Sequence, residues 1–109
     1  MATLQELSDA LRRLKSQNTD AIILQGRNAF VQAALDGDEF RLEAVADQFL
    51  DKPLTATQLN TLHSLGYHKP EPNHWQNVPA QPDEAAHTLA TTLADVYAEP
   101  LDDAEVIDV

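Results

Sequence analysis

The sequence contains no cysteine and only three glycines in 109 residues. The lack of cysteine excludes disulfides and thiolate metal sites, and nothing indicates an oxidising compartment. The three glycines fall in turns or at a helix end, so the chain has no glycine-rich phosphate-binding loop. We therefore expect no cofactor.

Long apolar stretches are also missing. No segment approaches the roughly 18 apolar residues of a membrane-spanning helix. The N-terminal stretch MATLQELSDALRRLKS contains Glu6 and Asp9 and lacks the unbroken apolar core of a signal peptide. These absences predict a cytoplasmic protein that does not act at a membrane.

Lys and Arg are few, and neither occurs after Lys69. The net charge of −11 argues against nucleic-acid binding, which needs clustered Lys and Arg to contact phosphates. The acidity is consistent with simple solubility, with a basic partner, or with mimicry of a polyanion. Five acids lie close to the C-terminus: Glu99, Asp102, Asp103, Glu105 and Asp108.

The first half of the chain predicts a helix followed by three strands. Leucines at positions 4, 7, 11 and 14 form one apolar stripe, which predicts a helix over Leu4–Lys15. Alternating or β-branched segments predict strands over 21–25, 29–35 and 39–46. The turn Asp36-Gly37-Asp38 makes the last two strands a hairpin, so we expect an antiparallel meander with one buried face.

The second half predicts two more helices. One follows a capping box formed by Thr55 and Gln58 and ends at Gly66, with Leu59, Leu62 and Leu65 directed to the core. The segment 68–81 is irregular, although a short edge strand over 75–78 is an alternative. The last helix covers 82–98. We expect one α+β domain over residues 1–98 and an acidic, disordered tail over 99–109.

No group of side chains predicts catalysis. The four histidines, His63, His68, His74 and His87, lack the spacing of zinc ligands, and we expect them at the surface. Asp36 and Asp38 are explained by the hairpin turn. Glu39, Arg41 and Glu43 are explained by the solvated face of a strand. The sequence therefore predicts a protein that is not an enzyme and holds no metal.

Two features each allow two interpretations. The single Trp75 either closes the core beneath the irregular loop or anchors a partner, since Trp is enriched in interface hot spots. The apolar stripe of the last helix either belongs to the core or forms a dimer or partner interface. We expect partner contacts at five residues: Trp75, Tyr67, Arg41, Leu93 and Tyr97.

Several segments resemble the TY-Chap domains of actinobacteria, which are grouped with type III secretion chaperones and YbjN-like proteins. The resemblance covers 4–97 and includes FVQAALDGDEFRLEAVADQFL and LTATQLNTLHSLGYHKP. Its most specific part is the spacing Leu54, Gln58, Leu62 and Leu65-Gly66-Tyr67, followed by the Asn73–Asn77 segment around Trp75. The chain departs from the type III pattern because no clear fourth and fifth strands lie between its last two helices.

The resemblance implies an N-terminal helix, a three-stranded meander and two helices packed on the sheet, without enzyme activity. Type III chaperones are small, acidic and often dimeric, and they hold an extended segment of a secreted client. We therefore expect a non-catalytic, chaperone-like module that binds another protein, with a homodimer as one arrangement. The alternative is an acidic regulator whose tail mimics a polyanion or occupies a basic site on its partner.

Overall fold

A computed structural model describes residues 2–109 and confirms the α+β class. Its helices are α1 Leu4–Lys15, α2 Ala56–Ser64 and α3 Pro82–Tyr97. Its strands are β1 Ala21–Gln25, β2 Phe30–Asp36, β3 Glu39–Ala44, β4 His74–Pro79 and β5 Glu105–Asp108. No helix within residues 2–109 is long and apolar enough to span a bilayer.

The strands form one antiparallel sheet with the order β4-β3-β2-β1-β5. The predicted meander of β1, β2 and β3 is its centre, and Gly37 takes the positive φ of 65° that the β2–β3 turn requires. The prediction of three strands was incomplete because β4 and β5 add one strand at each edge. The alternative of a short strand around Trp75 was therefore correct.

The expected disordered tail is folded within the described residues. Its end forms β5, where the Val109 amide donates to the Ala21 carbonyl at 2.9 Å. The Arg13 guanidinium binds the Asp108 carboxylate through two hydrogen bonds of 2.7 and 3.0 Å. The segment has no periodic pattern that predicts a strand. It is stabilised by the edge of β1 and by α1, which are distant in sequence.

One face of the sheet is covered by α1 and α3, and α2 packs beside α3. The side chains that β1, β2 and β3 direct to these helices are almost fully buried: Ile22, Leu24, Val31, Ala33, Phe40, Leu42 and Ala44. From α3, Leu89, Leu93 and Val96 fill the same core. The apolar stripe of α3 therefore belongs to the core, and it is not free to form the dimer interface considered from the sequence.

The predicted helix signals are present at α2. Thr55 and Gln58 form a complete capping box, and Gly66 ends the helix with a φ of 100°. Two leucines predicted to face the core are instead exposed, Leu4 by 45% and Leu59 by 40%. Leu4 is the first residue of α1 and Leu59 lies near the start of α2. The later turns of these helices contribute the buried leucines, such as Leu7 and Leu62.

Candidate functional site

The second face of the sheet is only half-buried, and we call it the open face. Alternation along the strands divides buried from half-exposed residues in β1, β2 and β3. The strand register places these residues on the open face: Ala21, Ile23, Gln25, Phe30, Gln32, Ala34, Asp36, Glu39, Arg41, Glu43, Trp75, Asn77, Pro79, Glu105 and Ile107.

Most of the apolar side chains of the open face lie on its β1, β2 and β5 side, where Gln25 and Gln32 lie among them. Ile23 of β1 lies directly opposite Ile107 of β5, and Phe30 of β2 lies one row away. Ala21 and Ala34, which face each other, extend this surface along β1 and β2. Ile107 is 36% exposed and the others are partly buried, and Phe30 also packs against the hydrophobic core. We call these five residues the apolar patch.

An acidic corner, Asp36, Asp38 and Glu39, lies at the β2–β3 hairpin. Asp36 and Glu39 are directly opposite each other across the two strands, which is an unfavourable arrangement for like charges. The Asp36 carboxylate accepts one hydrogen bond from the Asn77 amide at 2.9 Å. In the part of the chain that the structure describes, no Lys, Arg or His forms an ion pair with this corner.

Trp75 lies at the β4 side of the open face, beside Arg41. The Arg41 guanidinium stacks 4.4 Å from the centroid of the indole, and its Nε donates to Glu43 at 3.4 Å. The His68 ring also lies against Trp75, with ring centroids 4.5 Å apart. Trp75 is half-buried at the rim and is not part of the helix-covered core, so it does not close that core.

The other three predicted contact residues are less accessible. Tyr67 is 3% exposed and its hydroxyl pairs with the Thr92 hydroxyl at 2.9 Å, while Leu93 is fully buried. Tyr97 is half-buried and donates to the Val45 carbonyl at 2.6 Å. Burial raises the pKa of both tyrosines above the ordinary value. The five predicted residues are therefore not brought together, and only Trp75 and Arg41 lie on the open face.

The histidine prediction needs one correction. His63, His68 and His87 are exposed as predicted, but His74 is only 6% exposed. It begins β4 opposite Ala44, on the helix-covered side. Burial lowers the pKa of His74, although the His68 backbone and the charge of Asp47 oppose that shift. Within residues 2–109, no three His, Cys, Asp or Glu side chains are grouped so as to hold a metal ion.

Two clefts lie away from the open face. The larger, about 660 Å³, is bounded by the β1–β2 turn, residues 50–55 and the C-terminal end of α3. There the buried Glu99 carboxylate accepts hydrogen bonds from the backbone amides of Arg27 and Asn28. These bonds account for the burial of a charged group at this position. The smaller cleft, about 560 Å³, contains the exposed Leu59 beside Pro70 and Pro72.

The sequence analysis did not identify Ile23, Phe30 or Ile107 as a surface. Alternation in β1 and β2 was a signal for Ile23 and Phe30, since every second residue must point away from the core. Ile107 had no such signal because β5 was expected to be disordered. Ile107 joins the apolar patch only because β5 pairs with β1.

Comparison with known proteins adds one match. Residues 4–103 match the model of a family, TY-Chap3, described as T3SS (YopN, CesT) and YbjN peptide-binding chaperone 3. Searches of curated proteins and of solved structures found no match. Because the family match covers both helices that bury the sheet and four of its five strands, this chain belongs to the TY-Chap3 family of peptide-binding chaperones.

Proposed function

We propose that this protein is a non-catalytic, chaperone-like module that holds an extended segment of another protein against its open face. The observation that carries the proposal is the uncovered apolar patch in a member of a peptide-binding chaperone family. Ile107 is exposed and Ile23 is partly exposed, and a bound partner segment would remove their apolar surface from water.

An extended segment fits the shape of this surface. The patch runs along β1 and β2, and a client in β conformation advances about 3.3 Å per residue, as the strands do. Alternate client side chains would then contact successive rows of the open face. Binding on the face rather than at an edge is favoured because both edges are protected. β4 is bridged by His68 and ends at Pro79, and β5 carries Glu105 and Asp108.

A role without catalysis accounts for the remaining polar groups. The shifted pKa values of Tyr67, Tyr97 and His74 arise first from burial, and that of Asp108 from its hydrogen bond with Arg13. Each of these groups has a structural partner or a place in the core. The polyanion-mimic alternative gains no support, because the segment it requires is part of the fold: β5 pairs with β1, and Asp103 and Asp108 form ion pairs with Arg27 and Arg13.

Peptide binding can be tested with an array of short overlapping segments from unfolded proteins. We expect the protein to bind a subset of extended, apolar-containing segments, and Ile23→Asn and Ile107→Asn to lower their affinity about tenfold, since each removes buried apolar surface at the centre of the interface. The matched control is Leu59→Asn, which changes an exposed leucine beside the smaller cleft.

Circular dichroism and thermal unfolding would verify that all three variants remain folded. The open face would be the wrong site if Leu59→Asn abolished binding while both isoleucine variants bound normally. Failure of the folded wild-type protein to bind any segment on the array would contradict the peptide-binding function itself.

A further inference from the structure

The apolar patch and the acidic corner lie on the same strands, at a fixed spacing. Along β2 the open face presents Gln32 opposite Ile23, then Ala34 opposite Ala21, then Asp36 opposite Glu39. Four residues of strand separate the first of these rows from the last, which is about 13 Å. An extended client aligned with β2 has the same repeat. A client that places one side chain over Ile23, beside Gln32, therefore places the side chain four positions along at Asp36 and Glu39.

The acidic corner lacks a cation of its own. Among the described strand residues, Arg41 is the one cation that the register places on the open face. Its guanidinium is engaged by Trp75 and Glu43 and also donates to the Glu71 carbonyl at 3.4 Å. Asp36 and Glu39 thus face each other without a positive charge between them. A cationic side chain from a partner would relieve this repulsion.

A long basic side chain suits the surface between the two areas. Its methylene stem can lie over Ala34, which is small and half-exposed, while the charged end reaches the carboxylates of Asp36 and Glu39. The net charge of −11 also accelerates the encounter with a cationic segment, particularly at low ionic strength.

We infer that the client segment combines an apolar residue, seated on Ile23 beside β2, with a Lys or Arg four positions away that binds Asp36 and Glu39. The inference rests on the proposed function, because it specifies which extended segments the open face selects. The spacing is set by the strand repeat, whereas either chain direction of the client satisfies it.

The test uses three synthetic Thr-rich peptides titrated into the full-length protein, with binding followed by NMR chemical shifts. The first carries Ile at two alternate positions and Lys four positions beyond the second Ile. The second has Glu in place of Lys, and the third has Lys moved by one position. We expect the first to bind about fivefold more tightly than either of the others at low salt, and this advantage to shrink at high salt.

Protein variants test whether the acidic corner causes the preference for the Lys peptide. The double variant Asp36→Asn, Glu39→Gln should bind the Lys and Glu peptides within about twofold of each other, because the charge that separates them is gone. The control Asp95→Asn neutralises an exposed acid on α3 and should preserve the preference. Both proteins would be checked for an unchanged fold by circular dichroism.

The outcomes separate the two proposals. Equal affinity for the Lys and Glu peptides, with binding still lost in Ile23→Asn, would overturn the charge inference and leave peptide binding intact. No binding of these peptides, together with no binding on the segment array, would overturn peptide binding itself. A dimer that buries the open face at assay concentration, detected by sedimentation, would also overturn the inference, because no client could then reach the corner.

Discussion

The two faces of the sheet share one alternating sequence pattern and have different surroundings. On the helix-covered face, Leu24 and Phe40 are fully buried beneath α1 and α3. On the open face, Ile23 and Ile107 are apolar too, yet they remain half-exposed or exposed. Hydrophobic character alone therefore does not separate residues that stabilise the fold from residues available to a partner.

The two faces differ in whether their apolar side chains are covered and their charges neutralised. The helix-covered face has its apolar side chains matched by helices, whereas the open face combines uncovered apolar side chains with unneutralised acids at the hairpin. Ile23 and Ile107 lie directly opposite each other on neighbouring strands and are therefore not scattered singly over the surface. The combination is typical of a surface that binds a partner.

The largest expected difference in stability between the two faces is between neighbouring residues of β1. We expect Leu24→Ala to lower the free energy of unfolding by about 2–5 kcal/mol, because it leaves a cavity in the core. We expect Ile23→Ala to lower it by about 1 kcal/mol or less, since that side chain is already partly in water. Chemical denaturation measures both, and equal losses would show that the open face is buried in solution.

A second test concerns β5, which supplies Ile107 to the open face and Val106 to the covered one. Deleting residues 105–109 should lower the free energy of unfolding by about 2 kcal/mol, through lost ladder hydrogen bonds and apolar burial. Asp108→Asn is the narrower control and should cost less than about 1 kcal/mol, because its pair with Arg13 is partly exposed. Unchanged stability after the deletion would restore the interpretation of a disordered tail.

The Trp75 rim of the open face provides a smaller test. A double-mutant cycle with Arg41→Ala and Trp75→Ala should give a coupling of about 0.5–1 kcal/mol in the free energy of unfolding, because the guanidinium stacks on the indole. Arg12→Ala with Trp75→Ala is a suitable control, since Arg12 pairs with Asp9 and Asp83 instead. Coupling near zero would mean that the stacked arrangement is not maintained in solution.

The smallest expected effect concerns His74, a polar ring on the helix-covered side. Because burial lowers the pKa of His74 in the folded state, the unfolded chain binds the proton more readily. Stability should therefore decrease as the pH falls through the ordinary histidine pKa of about 6.5 and below it, until the folded form is also protonated. The slope should flatten in His74→Gln and persist in His87→Gln, as measured by denaturation between about pH 7.5 and 5.

Much of the fold could be predicted from local signals. The stripe of α1, the capping box of Thr55 and Gln58, and the positive φ of Gly66 each depend on neighbouring residues, so they are readable in sequence. The residues of the candidate site were harder to predict from the sequence. Tyr67 and Leu93 were predicted as contacts because aromatic and apolar residues suit both cores and interfaces, and only packing decides between the two.

Local sequence patterns were sufficient to predict the α+β class, the central meander and the three helices, because periodicity, caps and turns act over a few residues. Long-range packing forms β5 from the C-terminal residues, buries Tyr67 and brings Ile23, Phe30 and Ile107 onto one surface. These outcomes depend on contacts between residues far apart in the chain, such as Arg13 with Asp108. No local pattern encodes such a contact, since each partner is ordinary in its own segment.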